Sequence, residues 1–365
     1  MEIIKDDLMP GAIKVVVVGV GRMGAAHARA YHQSDGFDLV GLVAPSPRNR
    51  SKVSEELGGI PQFETLDHAL DKSKPQAVAI CSYPDTHVAY TRQCLNYGAH
   101  IFLEKPISET VEEAVQIINL AKTTDKKIVI GYILRHHPAW IRFIEIARTL
   151  DKPLVMRMNL NQQTLGERWI VHKNLMQSIS PIVDCGVHYV DVMCQMTRSK
   201  PVKVQAIGAR LSDEIDAEMY NYGNLQVIFE DGSVGWYEAG WGPMISETAY
   251  FVKDVVGPGG SVSIIDPNQY KKADSADING HTQTNSLLIH RIKKTADGEI
   301  LANDELIDTH DEPNHQELCN REQAFFLKSI KEDLDLSEHW EDVINSMRIV
   351  LAADQSIRTG KIVHL

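Results

Sequence analysis

No stretch of this chain is apolar over anything near the length that a membrane-spanning helix needs. Residues Met1–Pro10 carry acidic groups and no long apolar segment, so no secretory leader is expected. Cysteine is scarce: Cys81, Cys94, Cys185, Cys194 and Cys319 are the five, with no CxxC or CxxxC spacing. An odd, scattered set argues against a disulfide framework and a structural zinc site, and fits a reducing compartment. Positive charge is also short, with 37 Lys and Arg against 49 Asp and Glu, a net charge of −12. A surface that follows nucleic-acid phosphates or anionic lipid needs clustered cations, so neither is expected as a general partner. The histidines are scattered, and the adjacent His136-His137 point to different faces of any helix or strand. No HExxH is present. The expectation is a cytoplasmic protein without a metal.

What is there is ordinary globular material: 365 residues, 43% hydrophobic and 24% charged, a length that suggests about two domains. The strongest local pattern is Ile13–Gly24. The β-branched run Val15–Val18 reads as a strand buried on both faces, and it runs straight into Gly19-x-Gly21-x-x-Gly24. Ala25–His32 then reads as a helix. In that setting Gly19 permits the tight turn, Gly21 lets backbone approach a pyrophosphate, and Gly24 lets helix and strand pack closely. The helix N-terminus offers N–H groups and a positive dipole end to the phosphates.

Further on, strands are expected at Phe37–Ala44, Gln76–Ser82, His100–Leu103 and Lys127–Gly131. Helices are expected at Arg50–Leu57, Thr86–Tyr97 and Glu109–Thr124. Alternation at this spacing means βαβ units and a doubly wound parallel sheet, with a first domain over residues 1–133. Beyond it strands follow one another: Leu154–Leu160, Val202–Arg210, Leu225–Phe229, Ser233–Ala239 and Ala249–Val256. Turn signals at Glu230-Asp231-Gly232 and Gly257–Gly260 separate some of them. Helices His315–Lys331 and Trp340–Thr359 close the chain, and Asp274–Gly280 reads as a loop. The fold class is therefore α/β with a second α+β domain, residues 134–365, built on a large, mostly antiparallel sheet.

Ligands of doubly wound sheets bind beyond the carboxyl ends of the strands. Two such ends carry polar groups: Tyr83-Pro84-Asp85-Thr86-His87, and Glu104-Lys105-Pro106. Lys105 is a candidate cation beside a nicotinamide. In the second domain Asp184, His188, Asp191 and Gln195 share one stripe when read as a continuous helix, beside the apolar Val183, Val187, Val190 and Cys194. A histidine flanked by carboxylates on an otherwise apolar helix suggests a general base held in one tautomer. Trp169, Lys173, Tyr237 and Trp241 are candidate walls for a ligand pocket in this domain.

The glycine motif, Asp85-Thr86-His87, Glu104-Lys105-Pro106 and Asp184-x-x-x-His188-x-x-Asp191 occur in an order and spacing that resembles the glucose–fructose oxidoreductase / inositol dehydrogenase / rhizopine-catabolism (Gfo/Idh/MocA) family. The likeness runs to the C-terminal Ser356–Leu365. It implies a Rossmann domain and an NAD(P)-dependent oxidoreductase of sugars or cyclic polyols, with Lys105, Asp184 and His188 as the catalytic groups. A homodimer or homotetramer is the oligomer it implies. The cofactor contacts expected are Gly19, Gly21, Arg22, Met23 and Gly24 in the turn, and Ser46 and Arg48 past the second strand. Ser82 and His87 follow the third strand, and Glu104 and Lys105 the fourth. No carboxylate stands between Leu39 and Ser54, where NAD enzymes place one for the ribose 2′-hydroxyl, which leans the cofactor toward NADP over NAD. A non-catalytic sugar or dinucleotide sensor and an NAD-dependent glycosidase are the rival readings. Two departures stand out: Ser178–Pro181 where relatives often carry a glycine-rich stretch, and Asp85 where many have Asn.

Overall fold

The computed structural model describes residues 11–246, 251–265, 277, 282–294 and 300–365. The loop expected at Asp274–Gly280 lies outside them apart from Asp277, as does the start of the strand expected from Ala249. The chain divides into two compact units, one running to Ile133 and including Gln316–Glu341, the other Leu134–His315 with Asp342–Leu365.

The first unit is a six-stranded parallel sheet. Its strands are β1 (Ile13–Val18), β2 (Phe37–Val43), β3 (Gln62–Phe63), β4 (Ala77–Ile80), β5 (His100–Glu104) and β6 (Ile128–Gly131), in the order β3-β2-β1-β4-β5-β6. Every residue of Val15–Val18 and Ala77–Ile80 is buried, which is why these strands read as unbroken apolar runs. Helices α1 (Arg22–Gln33), α2 (Pro47–Glu56), α3 (Leu66–Ser73), α4 (His87–Tyr97) and α5 (Val111–Lys122) connect them. Thr65 and Thr110 cap α3 and α5, accepting from His68 N–H and Glu113 N–H at 3.4 and 3.2 Å. That cap starts α5 at Val111 rather than at Glu109. The short β3 and α3 escape the sequence reading, since two residues of strand carry no measurable period.

The second unit holds a nine-stranded sheet in the order β14-β13-β12-β11-β7-β10-β9-β8-β15. β7 (Val155–Gln163) and β10 (Val234–Gly242) pair in parallel. The other ladders, through β8 (Pro201–Ala209), β9 (Tyr222–Phe229), β11 (Lys253–Gly257), β12 (Gly260–Ile265), β13 (Ser286–Lys294), β14 (Ile300–Asp308) and β15 (Val363–His364), are antiparallel. Register puts Met156, Met158, Val227, Tyr237, Val255 and Val262 on one buried face. Helices α6 (Pro138–Ala147), α8 (Pro181–Asp184) and α9 (Gly186–Thr197) pack on the sheet, and α7 (Glu167–Leu175) packs on β10. The same register lines Val155, Val256, Ile207, Leu306 and Trp236 along the opposite face, the first four exposed.

Two long helices, α10 (His315–Lys331) and α11 (Ser337–Thr359), precede the final strand β15. The sequence pattern assigns all of residues 134–365 to a second domain, whereas in the structure Gln316–Glu341 cluster with the first unit. The reason is packing: Phe326 stacks on Phe37 at 5.9 Å, and Trp340 Nε1 donates to Ile128 O at 2.8 Å.

At the base of β5, His100 Nδ1 accepts the Lys127 N–H at 3.0 Å, a role only an unprotonated nitrogen can fill. Burial and the neighbouring Lys126 push its pKa from 6.5 down to about 4. The native state thus binds fewer protons than the unfolded chain between those values. Its contribution to stability is full above pH 6.5 and is lost as pH falls through 4. Urea midpoints of the wild type measured from pH 7 to 4 should fall more steeply than those of His100→Asn, whose Oδ1 accepts at the same place without titrating. Equal slopes would remove His100 from the acid sensitivity.

Candidate functional site

The turn between β1 and α1 lies at the point where the strand order reverses, with β1 beside β4. Gly19 has φ +82°, and a Cβ there would stand 2.6 Å from the carbonyl oxygen of Cys81. At Gly24 a Cβ would come within 1.7 Å of Gly19 O. Gly21 differs, because a Cβ there would meet no atom of the chain within 4 Å. What Gly21 keeps clear is approach from outside, which is what a pyrophosphate cradle requires. Gly21 is also the N-cap of α1, without a side chain to serve the first N–H groups, and Arg22 and Met23 open the helix. A dinucleotide fits these features.

Past β2, Ser46 occupies the N-cap position of α2 without a side-chain capping bond, and Arg48 stands exposed in its first turn. Arg50 turns back on the strand end, donating to the carbonyls of Ala44 and Pro45. A cavity of about 310 Å³ is lined by Gly21, Arg22, Arg29, Asn49 and Lys52 among others. Within it Arg29 is already paired with Glu56, Nη2 to Oε2 at 2.9 Å.

Past β4 and β5 the two strand ends are tied to each other. The His87 ring is fully buried between Pro106 O, 2.9 Å from Nδ1, and Ser82 O, 3.0 Å from Nε2. Ser82 and Thr86 hydroxyls share a hydrogen bond at 2.6 Å. Glu104, the last residue of β5, is buried with its carboxylate turned inward, 2.7 Å from His27 Nε2. Lys105 follows it at the strand end. His87 and Glu104 thus engage the protein itself, and the stretch they hold is the one that carries Lys105.

In the second unit the helix expected through residues 184–195 is two helices. α8 ends at Asp184, and α9 begins at Gly186, where a Cβ would stand 2.8 Å from Tyr237 Cε1. Asp184 and His188 lie on either side of this break. All of α9 is buried, including His188, Asp191 and Gln195 of the polar stripe. Asp191, read in the sequence as a carboxylate flanking His188, is engaged elsewhere: Arg135 Nε donates to it at 2.9 Å and Gln195 Nε2 at 3.0 Å. Arg135 and Arg198 also donate to Asp342, at 2.9 and 3.0 Å. Burial pushes the Asp191 carboxyl up to about 6 against the pull of Arg135. This is a structural ion cluster whose partners are too far apart in sequence for any motif to show.

Trp169 and Trp241, offered as pocket walls, are packed instead with Met176 and Ile215 in a buried cluster. Trp241 stacks on His172 at 4.0 Å and donates to Gln162 Oε1 at 3.0 Å. Tyr237 is fully buried and stacks on Tyr189 at 5.1 Å. Lys173 is paired with Glu214 at 2.6 Å.

A glycine turn at the switch point of a doubly wound sheet defines a dinucleotide-binding unit, here joined in one chain to an α+β unit. Residues 13–132 match the family described as "Oxidoreductase family, NAD-binding Rossmann fold", and residues 147–253 match the GFO/IDH/MocA C-terminal domain. The chain belongs to the Gfo/Idh/MocA oxidoreductase family, as its sequence resemblance implied. It is 29% identical over 201 residues to the UDP-N-acetylglucosamine 3-dehydrogenase of Acidithiobacillus ferrooxidans, covering 55% of this chain and 59% of that protein. To the inositol 2-dehydrogenase of Rhizobium meliloti it is 23% identical over 222 residues, covering 60% and 66%. The chain therefore spans roughly three fifths to two thirds of the length of these curated relatives. Among solved structures, scyllo-inositol dehydrogenase from Lactobacillus casei with bound NAD(H) and scyllo-inositol superposes with a TM-score of 0.74. That likeness covers 97% of this chain and 99% of that one at 21% identity, and it is a likeness of fold.

Proposed function

We propose that the protein is an NAD(P)-dependent dehydrogenase that moves a hydride between a nicotinamide and the hydroxyl carbon of a sugar or cyclic polyol. The observation that carries this reading is the cleared glycine turn at the β1/β4 switch point, with Lys105 held at the end of neighbouring β5. The relatives named above as sugar and inositol dehydrogenases support the substrate class. A bound nicotinamide supplies the hydride acceptor. The chain's own groups handle the proton: His188, which the family resemblance pairs with Asp184, takes it from the substrate hydroxyl, and the Lys105 ammonium steadies the negative charge that develops on that oxygen. No step in this scheme calls for a metal.

Within this reading NADP is the preferred cofactor. The loop after β2 lacks a carboxylate to repel a 2′-phosphate, and the adjoining cavity is lined by the exposed Arg22 and Lys52. Ser46 and Arg48 stand at the start of α2 beside it in sequence. Arg50 drops out of this role because it holds the Ala44 and Pro45 carbonyls.

The exposed sheet face is read as the surface between copies in a homodimer or homotetramer. Val155, Val256, Ile207 and Leu306 share it, and a groove of about 560 Å³ runs past Val155, Lys203, Gln226, Trp236 and Ile362. The four apolar side chains stand among polar ones of the same face, Arg157, Asp254, Gln226 and Lys203, and this mixture beside a groove supports reading it as an interaction surface.

Three measurements test these statements. With a panel of sugars and polyols, reduced nicotinamide should form in stoichiometric amounts, and His188→Ala should lower turnover by roughly 10²–10⁴-fold while dinucleotide binding persists. A folded His188→Ala with native turnover would overturn its role, and dinucleotide binding with no turnover on any substrate would favour a sensor. Steady-state kinetics should give a higher kcat/KM with NADP than with NAD, and Lys52→Glu should cut the NADP value by about tenfold or more, as the loss of a charge-assisted contact implies. A kcat/KM about tenfold higher with NAD would reverse the assignment. In sedimentation velocity the wild type should run as an oligomer and Val155→Glu should shift toward monomer; a monomeric wild type would refute the interface.

A further inference from the structure

Behind the Lys105 strand end lies a cluster of polar groups from four elements of the first unit. The buried His27 and Tyr31 come from α1, the buried Glu104 from β5, the partly buried Cys81 from the end of β4, and the buried Cys319, Glu322 and Gln323 from α10. Ligand atoms of His27, Cys319 and Glu322 come within 4.8 Å of one another, a spacing that suits a metal. Both imidazole nitrogens are engaged, however. Gln323 Nε2 is 2.9 Å from Nδ1, and Glu104 Oε1 is 2.7 Å from Nε2. An amide NH₂ donates, so Nδ1 is the acceptor and Nε2–H donates to the carboxylate. The ring has no lone pair left for an ion.

The other carboxylate oxygen, Glu104 Oε2, accepts the backbone N–H of Lys105 at 3.1 Å. An unbroken line of hydrogen bonds therefore runs from Gln323 through His27 and Glu104 to the Lys105 main chain. On the far side of Lys105, Pro106 O is held by His87. We propose that His27 is a positioning residue for Lys105: through Glu104 it fixes the backbone from which the lysine side chain reaches the reacting oxygen. The inference rests on the role of Lys105 proposed above. Burial opposes a charge on Glu104, but the hydrogen bonds it accepts from His27 and from the Lys105 N–H, with the Lys105 charge nearby, hold the carboxyl below its usual range. Its neighbour Glu322 is pushed well above by burial and by the Glu104 charge. The two carboxyls are pushed in opposite directions, so Glu104 is the one that favours the charged, accepting form between His27 and Lys105. His27 also packs on Phe102 of β5, ring centroids 4.7 Å apart, so the imidazole is fixed in place as well as in tautomer.

The test compares His27→Leu, His27→Gln, Glu104→Gln and Lys105→Ala with wild type. Each is assayed with NADP and NAD on the best substrate of the panel, and by NADPH and NADH fluorescence titration. His27→Leu should lower kcat by roughly 10- to 100-fold, the scale expected when a reacting group is misplaced by a fraction of an ångström to an ångström. The dissociation constant for the dinucleotide should move by no more than about threefold, since the glycine turn is untouched. His27→Gln places an amide N–H near the Nε2 position and should restore most of the rate. Glu104→Gln keeps the shape, but its amide cannot accept from both His27 and Lys105, so it should repeat the kcat loss even where His27→Leu folds poorly. In a Lys105→Ala background, His27→Leu should cost less than about twofold more, because groups acting through one another do not add. A folded His27→Leu with native kcat, no rescue by His27→Gln, or fully additive losses would overturn the positioning role while leaving Lys105 in place. Native turnover by Lys105→Ala would instead remove the reading on which the inference stands.

Discussion

The first unit depends on how closely α1 can approach the strand it follows. At Gly24 a single added carbon would collide with the Gly19 carbonyl at 1.7 Å, and at Gly19 with that of Cys81 at 2.6 Å. Hydrogen in place of a side chain at both points lets the helix pack on the sheet as it leaves the turn. The phosphate cradle and the packing of α1 are thus one constraint. Ala25, Ala26, Ala28 and Ala30 keep that helix thin, and His27 and Tyr31 are the larger side chains it buries. From there His27 reaches Glu104, so a steric requirement at the glycine turn fixes the geometry of the strand end that carries Lys105.

The parts of the fold most legible in the sequence are those buried on both sides. Val15–Val18 of β1 and all of β4 have no solvent face, so their apolar runs are continuous, and helices stopped by Gly98 or Gly360 announce their ends. The second sheet is covered on one face, and its outer strands are harder to see. β14, written Ile-Leu-Ala-Asn-Asp-Glu-Leu-Ile-Asp, is an edge strand with acidic residues in mid-run, and by composition it resembles a loop. α6 is another case. Ala139, Trp140, Phe143, Ile144 and Ala147 recur at helical spacing, so the signal was present but fell between two domain patterns. The return of Gln316–Glu341 to the first unit was not readable at all, because it is decided by partners such as Phe37 and Ile128 far earlier in the chain.

The candidate site divides the same way. Lys105, Asp184 and His188 stand in short local motifs, and the glycine turn announces itself through its strand and helix. The residues that brace them do not. His27 lies 77 positions from Glu104, and Gln323 lies 296 positions from His27. Arg135 lies 56 positions from Asp191, and its capture of that carboxylate undoes the symmetric picture of His188 between two acids. Helical spacing alone cannot distinguish a carboxylate that orients a histidine from one that neutralises a distant arginine. Nor could it foresee the break at Cys185, where Tyr237 occupies the space against Gly186.

Both buried networks are poor bargains if stability is their only purpose. Removing an ion from water costs several kcal/mol even after relaxation, and apolar residues of similar volume often replace a buried pair without loss. The first unit nonetheless buries Glu104 with His27 and sets Glu322 beside them, while the second buries Asp191 and Asp342 around Arg135. What such groups offer that leucine cannot is direction. A hydrogen bond fixes an angle as well as a distance. In the first unit the last bond of the line ends on a backbone N–H rather than on another side chain. The element being aimed is therefore the chain itself at Lys105, and a packed apolar core at Glu104 would hold the strand end in place without setting where the lysine points.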